Sequence, residues 1–178
     1  SQLLDWLLAL MRERAVDALV IAGDVYDSPT PSTAAQALYY KFLARLRQSG
    51  CRMAVIVGGN HDSPLLINAP RELLEHMDIH VVGRASKSPD GEVFLLRDES
   101  GRPQAAFCAV PFLRESDLRT LTRSDTIETR GERIAECAAQ HYQGVVQEAL
   151  RQLGDVREQA PIIATGHLFA RGGAVGGG

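Results

Sequence analysis

The sequence predicts an α/β fold, because short apolar segments of strand length alternate with amphipathic segments of helix length along the chain. The early apolar segments are continuous rather than alternating, which is typical of parallel strands buried on both faces. The helices between them supply the crossover connections that parallel strands need. No internal repeat and no linker interrupts the sequence, so we expect one domain over residues 1–178.

Four segments have the apolar spacing or the boundary residues of helices. Ser32 or Thr33 can cap the second helix, and Gly50 follows at the place where that helix stops. Pro64 marks the first turn of the third helix, and Pro70 predicts a break within it. The predicted helices are residues 2–14, 33–48, 64–76 and 134–153.

The predicted strands form an early parallel group and a later hairpin. The first three alternate with helices, so we expect them to be parallel with right-handed crossovers. Two later apolar segments flank the polar turn of residues 99–102, which indicates an antiparallel hairpin. A last strand leads into a glycine-rich end. The predicted strands are residues 17–22, 52–57, 80–83, 92–97, 104–111 and 161–165.

The composition is that of an ordinary soluble globular protein, with 45% hydrophobic and 23% charged residues. No apolar run approaches the roughly 20 residues that a membrane span needs. The three cysteines are odd in number and widely spaced, so we expect no disulfide framework and a reducing, cytoplasmic setting. The net charge of −3 gives no overall attraction to nucleic acid, so a DNA-binding function cannot be argued from charge.

Three of the predicted strands end in glycine, and a side chain that can bind a metal follows each of these ends. Asp24 follows the first strand, Asn60 the second and His167 the last. Because the carboxyl ends of parallel strands line the ligand crevice of α/β sheets, we expect these side chains to converge. Carboxylate and amide oxygens with an imidazole nitrogen suit manganese, iron or zinc. The lack of a thiolate argues against a sulfur-rich structural site.

The neighbours of these residues complete a candidate site for phosphate ester hydrolysis. A carboxylate such as Asp24 can bridge two ions, as in two-metal phosphoesterases. His61 is then placed to donate a proton to the leaving oxygen, and Asp27 or Asp62 can orient its imidazole.

Each residue taken alone has a structural interpretation: a turn, a helix cap or a packed histidine. The combination, in this order and always after a strand, favours the functional one. His141 lies on an apolar helix face, and we expect it to be a hydrogen-bonded core residue instead.

These residues form motifs that resemble those of the calcineurin-like metallophosphoesterases. The flanking segments are similar to the SbcD family of bacterial exonuclease subunits within that superfamily. The similarity runs through nearly the whole chain and is loosest over residues 89–159. The segments that carry it include Gly23-Asp24-x-x-Asp27, Gly59-Asn60-His61-Asp62, Val110-Pro111-Phe112-Leu113-Arg114 and Gly166-His167.

The resemblance implies a role for each site residue. Asp24 would bridge two metals, and Asn60 and His167 would bind the second of them. His61 would be the general acid beside the scissile phosphate, and Asp27 would orient His61. The fold implied is a sandwich of two mixed sheets flanked by helices.

The resemblance also implies an activity and partners. The activity is manganese-dependent cleavage of DNA phosphodiesters, as an exonuclease on duplex ends and an endonuclease on hairpins or single strands. The partners are DNA and SbcC, an ATPase with long coiled coils, and the complete protein is expected to be a homodimer without membrane attachment.

Two motifs of the family are missing from this sequence, an Asp-x-His at the first strand and a final Gly-His-x-His. We therefore expect a domain truncated at both termini. The complete domain would hold two Mn²⁺ ions, whereas this chain would bind one weakly or none and would be a poor nuclease, because metal affinity depends on the number of ligands.

Two other functions remain open at this point. One is a metallophosphoesterase that acts on phosphoproteins or nucleotides, because substrate choice depends on the loops around the metals. The other is a non-catalytic partner-binding domain with a vestigial site, which the missing motifs would favour.

Overall fold

The computed structural model describes residues 1–118 and 127–168. The glycine-rich end that was predicted to follow the last strand lies outside the described residues. Short 3₁₀ helices span Arg47–Ser49, Pro89–Glu92 and Gly154–Val156. The helices are α1 (Gln2–Glu13), α2 (Thr33–Leu46), α3 (Pro64–Asn68), α4 (Arg71–Glu75) and α5 (Ile127–Leu153). The strands are β1 (Ala18–Ala22), β2 (Met53–Val57), β3 (Ile79–Val82), β4 (Val93–Arg97), β5 (Pro103–Ala109) and β6 (Ile162–Thr165).

The strands form two sheets of three. In the first sheet the order is β1-β2-β3, and both pairs are parallel. In the second the order is β4-β5-β6, with β4 antiparallel and β6 parallel to β5. The predicted α/β class, the early parallel strands and the later hairpin are confirmed. Of the two described sheets, the second is mixed, whereas the three strands of the first all run the same way because helices connect them.

The side chains of β2 and β5 alternate between two layers of core. Ile56 packs with the helices that cover the first sheet, whereas Val55 packs against Phe107 of the second sheet. On β5 the next residue, Cys108, points the other way and packs with Val145 of α5. The layers are therefore helices, first sheet, second sheet and α5. Full burial of an aliphatic side chain contributes about 1.5–3 kcal/mol, so this double-sided core carries much of the stability.

The ends of the helices follow the predicted boundary residues. The Ser32 hydroxyl accepts a hydrogen bond from the Ala35 amide at 3.2 Å, which caps α2. The Ser63 hydroxyl accepts one from Leu66 at 3.4 Å, which caps α3. Pro70 lies between α3 and α4, as the predicted break requires. Among the described residues, no helix combines the length and apolar character needed to cross a membrane.

His141 joins α5 to the 3₁₀ helix that precedes β4 through a buried carboxylate. Its Nε2 lies 2.8 Å from Glu92 Oε2, and Glu92 is 0% exposed. A second oxygen of Glu92 accepts a hydrogen bond from the Ser86 amide. The prediction that His141 is a hydrogen-bonded core residue is confirmed. The hydrogen bond to Glu92 raises the pKa of His141 above its usual 6.5, against the opposing effect of burial.

This raised pKa predicts a pH-dependent stability. The contribution of the pair is fully present below the unfolded-state pKa and is lost as the pH rises through the higher folded-state pKa. We expect His141→Gln to cost on the order of 1–3 kcal/mol near pH 5.5 and clearly less near pH 9. Urea unfolding at both pH values measures this difference. His76→Gln, at an exposed histidine, is the control, and an equal pH dependence of the two variants would contradict the assignment.

Candidate metal centre

The turns after β1, β2 and β6 meet at one point, although β6 belongs to the second sheet. His167 Nε2 lies 2.9 Å from Asn60 Oδ1 and 3.4 Å from Asp24 Oδ2. The structure therefore brings together the three side chains that sequence analysis selected as metal ligands. They are accessible from outside, since the side chains of Asp24 and His167 are 35% and 26% exposed.

The surroundings of the His167 ring favour a cation between these groups. On its other side, Nδ1 lies 3.1 Å from the carbonyl oxygen of Ala22, which can only accept a hydrogen bond. If Nδ1 carries the proton of a neutral ring, Nε2 presents a lone pair to the oxygens of Asn60 and Asp24. Metal-binding histidines commonly donate their other ring N–H to a backbone carbonyl in this way. A divalent ion would satisfy all three facing acceptors.

The donor set fits an ion that prefers oxygen and nitrogen ligands. Within residues 1–118 and 127–168, no group of three His, Cys, Asp or Glu side chains is placed to hold a metal ion. The amide oxygen of Asn60 therefore has to serve as the third donor beside Asp24 and His167. Such a mixed set without sulfur suits manganese, iron or zinc.

Close packing explains why glycines stand directly before the candidate ligands Asp24 and Asn60. A Cβ atom on Gly59 would lie 2.1 Å from Asp24 Oδ1 and 2.3 Å from the Asp24 amide nitrogen. A Cβ atom on Gly23 would lie 2.3 Å from His167 Nδ1, and Gly23 also has φ +93°. Any larger residue at either position would displace Asp24 or His167. Asp24 itself has φ +47°, a strained left-handed conformation of the kind that is found at functional sites.

Asp62 ties the turns after β1 and β2 together. Its carboxylate accepts hydrogen bonds from the amides of Val25 at 3.1 Å, Tyr26 at 2.9 Å and Gly59 at 2.8 Å. The residue is 2% exposed, so these bonds are shielded from water. Both oxygens are engaged by backbone groups, which makes Asp62 a structural tie between turns rather than the residue that orients His61. This role was not predicted from the sequence, since two of the three amides, those of Val25 and Tyr26, lie 37 and 36 residues away along the chain.

His61 and Asp27 lie on the exposed side of the same turns. The His61 amide donates to Asp24 Oδ1 at 3.2 Å, which fixes the backbone of the turn. Both side chains are exposed, and in the described part of the chain no hydrogen bond joins them. Their roles as general acid and orienting carboxylate stay predictions.

The segment after β5 also contacts the site. The Phe112 ring meets the His167 ring edge-on, with centroids 6.3 Å apart, and Arg114 donates hydrogen bonds to the turn after β2. In the sequence this segment carries part of the family resemblance, and no function was predicted for it.

The glycine contacts predict a selective loss of metal binding. If Asp24 is a ligand, Gly59→Ala in the full-length protein should weaken the binding of a divalent ion, with Mn²⁺ as the probe, at least about tenfold, because the added methyl group displaces Asp24. Electron paramagnetic resonance (EPR) of free Mn²⁺ during titration measures the affinity. The control is Gly144→Ala in α5, where the nearest atom would be 3.8 Å away. This control should keep the affinity and gain about 0.5–1 kcal/mol of stability. Unchanged affinity in Gly59→Ala would contradict the placement of Asp24.

Comparison with known proteins agrees with the resemblance. The chain is similar to the SbcD subunit of the nuclease SbcCD from Escherichia coli K12, with 35% identity over 169 residues, 95% of this chain. It is 34% identical over 164 residues to the protein of that name from Rhodobacter capsulatus, and 29% identical over 174 residues to that from Bacillus subtilis. The matches cover 89% and 97% of this chain, respectively.

The chain spans only about two fifths of the length of these relatives, between 39% and 42%. The family model described as calcineurin-like phosphoesterase matches residues 1–171. The motifs at Asp24, Asn60 and His167 all lie inside this match. The chain therefore belongs to the calcineurin-like phosphoesterase family.

Proposed function

We propose that this chain is the metal-binding core of a DNA-repair nuclease that hydrolyses DNA phosphodiesters. The convergence of Asp24, Asn60 and His167 carries the proposal, because it places an oxygen and nitrogen donor set at one exposed point. The similarity to SbcD proteins, which are named as subunits of the nuclease SbcCD, supports DNA as the substrate. Family membership supports dependence on a divalent metal.

Asp24, Asn60 and His167 would hold the ion, and Mn²⁺ is the metal we propose. A divalent ion there supplies positive charge that offsets the negative charge gathering on the phosphate during displacement. The Nδ1–H of His167 would keep its ring oriented by donating to the carbonyl of Ala22. The hydrogen bond from the His61 amide to Asp24 would fix the position of these two residues relative to each other.

His61 is the proposed proton donor to the leaving oxygen. Its side chain is exposed next to the ligand Asn60, so it can reach a bound phosphodiester without itself binding the ion. Asp27, also exposed and in the turn after β1, would orient the imidazole once substrate is bound. Hydrogen bonds of this kind often tighten only in the substrate complex.

The complete protein is proposed to bind two Mn²⁺ ions and to act in the cytoplasm as a homodimer. Its partner would be SbcC, a coiled-coil ATPase. The relatives are named as one component of SbcCD, which supports a second subunit.

Two substitutions separate metal binding from proton donation in the full-length protein. Asp24→Ala should lose Mn²⁺ binding together with nuclease activity, because a ligand is removed. His61→Ala should keep Mn²⁺ binding and lose turnover by roughly a hundredfold to ten-thousandfold, the usual contribution of a general acid. The measurements are Mn²⁺ titration by EPR and hydrolysis of labelled duplex DNA. Equal loss of metal in both variants would refute the assigned roles.

A comparison of substrates tests the choice of DNA. We expect Mn²⁺-dependent hydrolysis of linear duplex DNA to exceed that of phosphopeptides and nucleotides at equal concentration of ester. A preference for the small esters would favour a phosphoesterase of another specificity. Absence of both Mn²⁺ binding and hydrolysis would favour a partner-binding domain with a vestigial site.

A further inference from the structure

Arg114 bonds to both ends of the turn that carries Asn60 and His61. Its Nη2 lies 3.3 Å from the carbonyl oxygen of Gly59 and 3.0 Å from that of Asp62. These two carbonyls enclose the sequence Asn60-His61. A single guanidinium therefore spans the segment that supplies one candidate ligand and the candidate proton donor.

Arg114 is itself held from several sides. Its guanidinium lies over the Phe112 ring at 5.7 Å, and its amide donates to Asp117 Oδ2 at 3.1 Å. The Phe112 amide donates to the carbonyl of Gly58 at 2.8 Å, which fixes this segment against the end of β2. A guanidinium fixed in this way can hold the turn in one position, because little rotamer freedom remains to be lost.

The same segment reaches the other half of the centre. The Phe112 ring contacts the edge of the His167 ring, with centroids 6.3 Å apart. Asn60 comes from the first sheet and His167 from the second. The residues from Phe112 to Arg114 therefore contact ligand-bearing parts of both sheets.

The state of its two Nη atoms argues that Arg114 does not act on the substrate directly. Its Nη1 is buried and, within residues 1–118 and 127–168, has no hydrogen-bond partner. Its Nη2 is used by the two carbonyls of the turn. An arginine that binds a DNA phosphate presents its N–H groups as an open fork, whereas here one Nη atom is buried and the other is engaged by two carbonyls.

We propose that Arg114 is a positioning residue, which sets the Gly59–Asp62 turn so that Asn60 can share an ion with Asp24 and His167. This inference rests on the proposed function, since it concerns the same metal centre. The function of residues 110–114 would then be to position the turn after β2.

A positioning role and a charge effect predict opposite changes. If Arg114 acted only through its positive charge, its removal would strengthen the binding of a cation, because like charges repel. If Arg114 holds the turn, its removal frees Asn60 to move and weakens binding. The sign of the change in Mn²⁺ affinity therefore distinguishes the two.

The test measures Mn²⁺ affinity of the full-length protein without DNA, by EPR titration. Arg114→Met keeps an aliphatic stem over Phe112 and removes the donors to both carbonyls. We expect it to weaken Mn²⁺ binding about tenfold to hundredfold, as is usual when a group that orients a ligand is lost. Arg114→Lys keeps an ammonium with several donors and should recover most of the affinity. Affinity of Arg114→Met within about twofold of the wild type, or higher, overturns the proposal.

Arg84→Met is the matched control. Arg84 bonds Ser116 and Asp117, just after this segment, but its side chain is 52% exposed. It should keep the Mn²⁺ affinity, and an equal loss in both methionine variants would show general loosening and overturn the proposal. If Arg114→Met does not fold, Arg114→Gln decides, because its amide can serve one carbonyl. We expect an intermediate affinity, and wild-type affinity in that variant overturns the proposal.

Asp24→Ala distinguishes this inference from the proposed function. If Asp24→Ala binds Mn²⁺ as the wild type does, the metal centre itself is wrong. If Asp24→Ala loses the ion while Arg114→Met keeps it, the metal centre stands and only the positioning role fails.

Discussion

The packing of β2 against β5 sets the spacing of the two sheets, and the candidate metal centre depends on that spacing because its ligands come from both. Val55 and Val57 meet Phe107 in a shared cluster, with sheets that pack at about 10 Å. Asn60 continues from β2, whereas His167 enters from the second sheet. Dense cores transmit small volume changes as displacements. The apolar layer between the sheets therefore affects whether the candidate ligands from the two sheets lie close enough to share an ion.

Hydrogen bonds with polar side chains hold the turns in place beyond the ends of the strands. The turn after β2 is held from two sides by groups of opposite charge. The Asp62 carboxylate accepts a hydrogen bond from the amide of Gly59, and the Arg114 guanidinium donates one to the carbonyl of Gly59. Buried backbone groups need hydrogen-bond partners, so the bonds that satisfy these groups also fix the conformation of the turn.

The backbone of the candidate centre is locally strained. Asp24 adopts a left-handed backbone, and the acceptors of Asp24 and Asn60 face the ring of His167. Local strain of this kind costs on the order of 1–3 kcal/mol and persists only where the surroundings impose it. A divalent ion bound there would be coordinated by the oxygens of Asp24 and Asn60 and by the ring of His167. The hydrogen bonds of Asp62 and Arg114 and the double-sided core impose this strained conformation on the turns.

Local signals in the sequence determined most of the fold and selected the candidate ligands. Periodicity and boundary residues placed the helices and strands within a few residues, except that α5 extends to Ile127, earlier than its apolar face begins. Glycine followed by Asp24, Asn60 or His167 indicated one crevice, because strand ends in α/β sheets share an edge. Only the tertiary structure showed that His167 crosses from the second sheet, that Asp62 binds three amides and that Arg114 spans the turn after β2. Those contacts join residues far apart along the chain, and local patterns carry no information about the packing of sheets that brings such residues together.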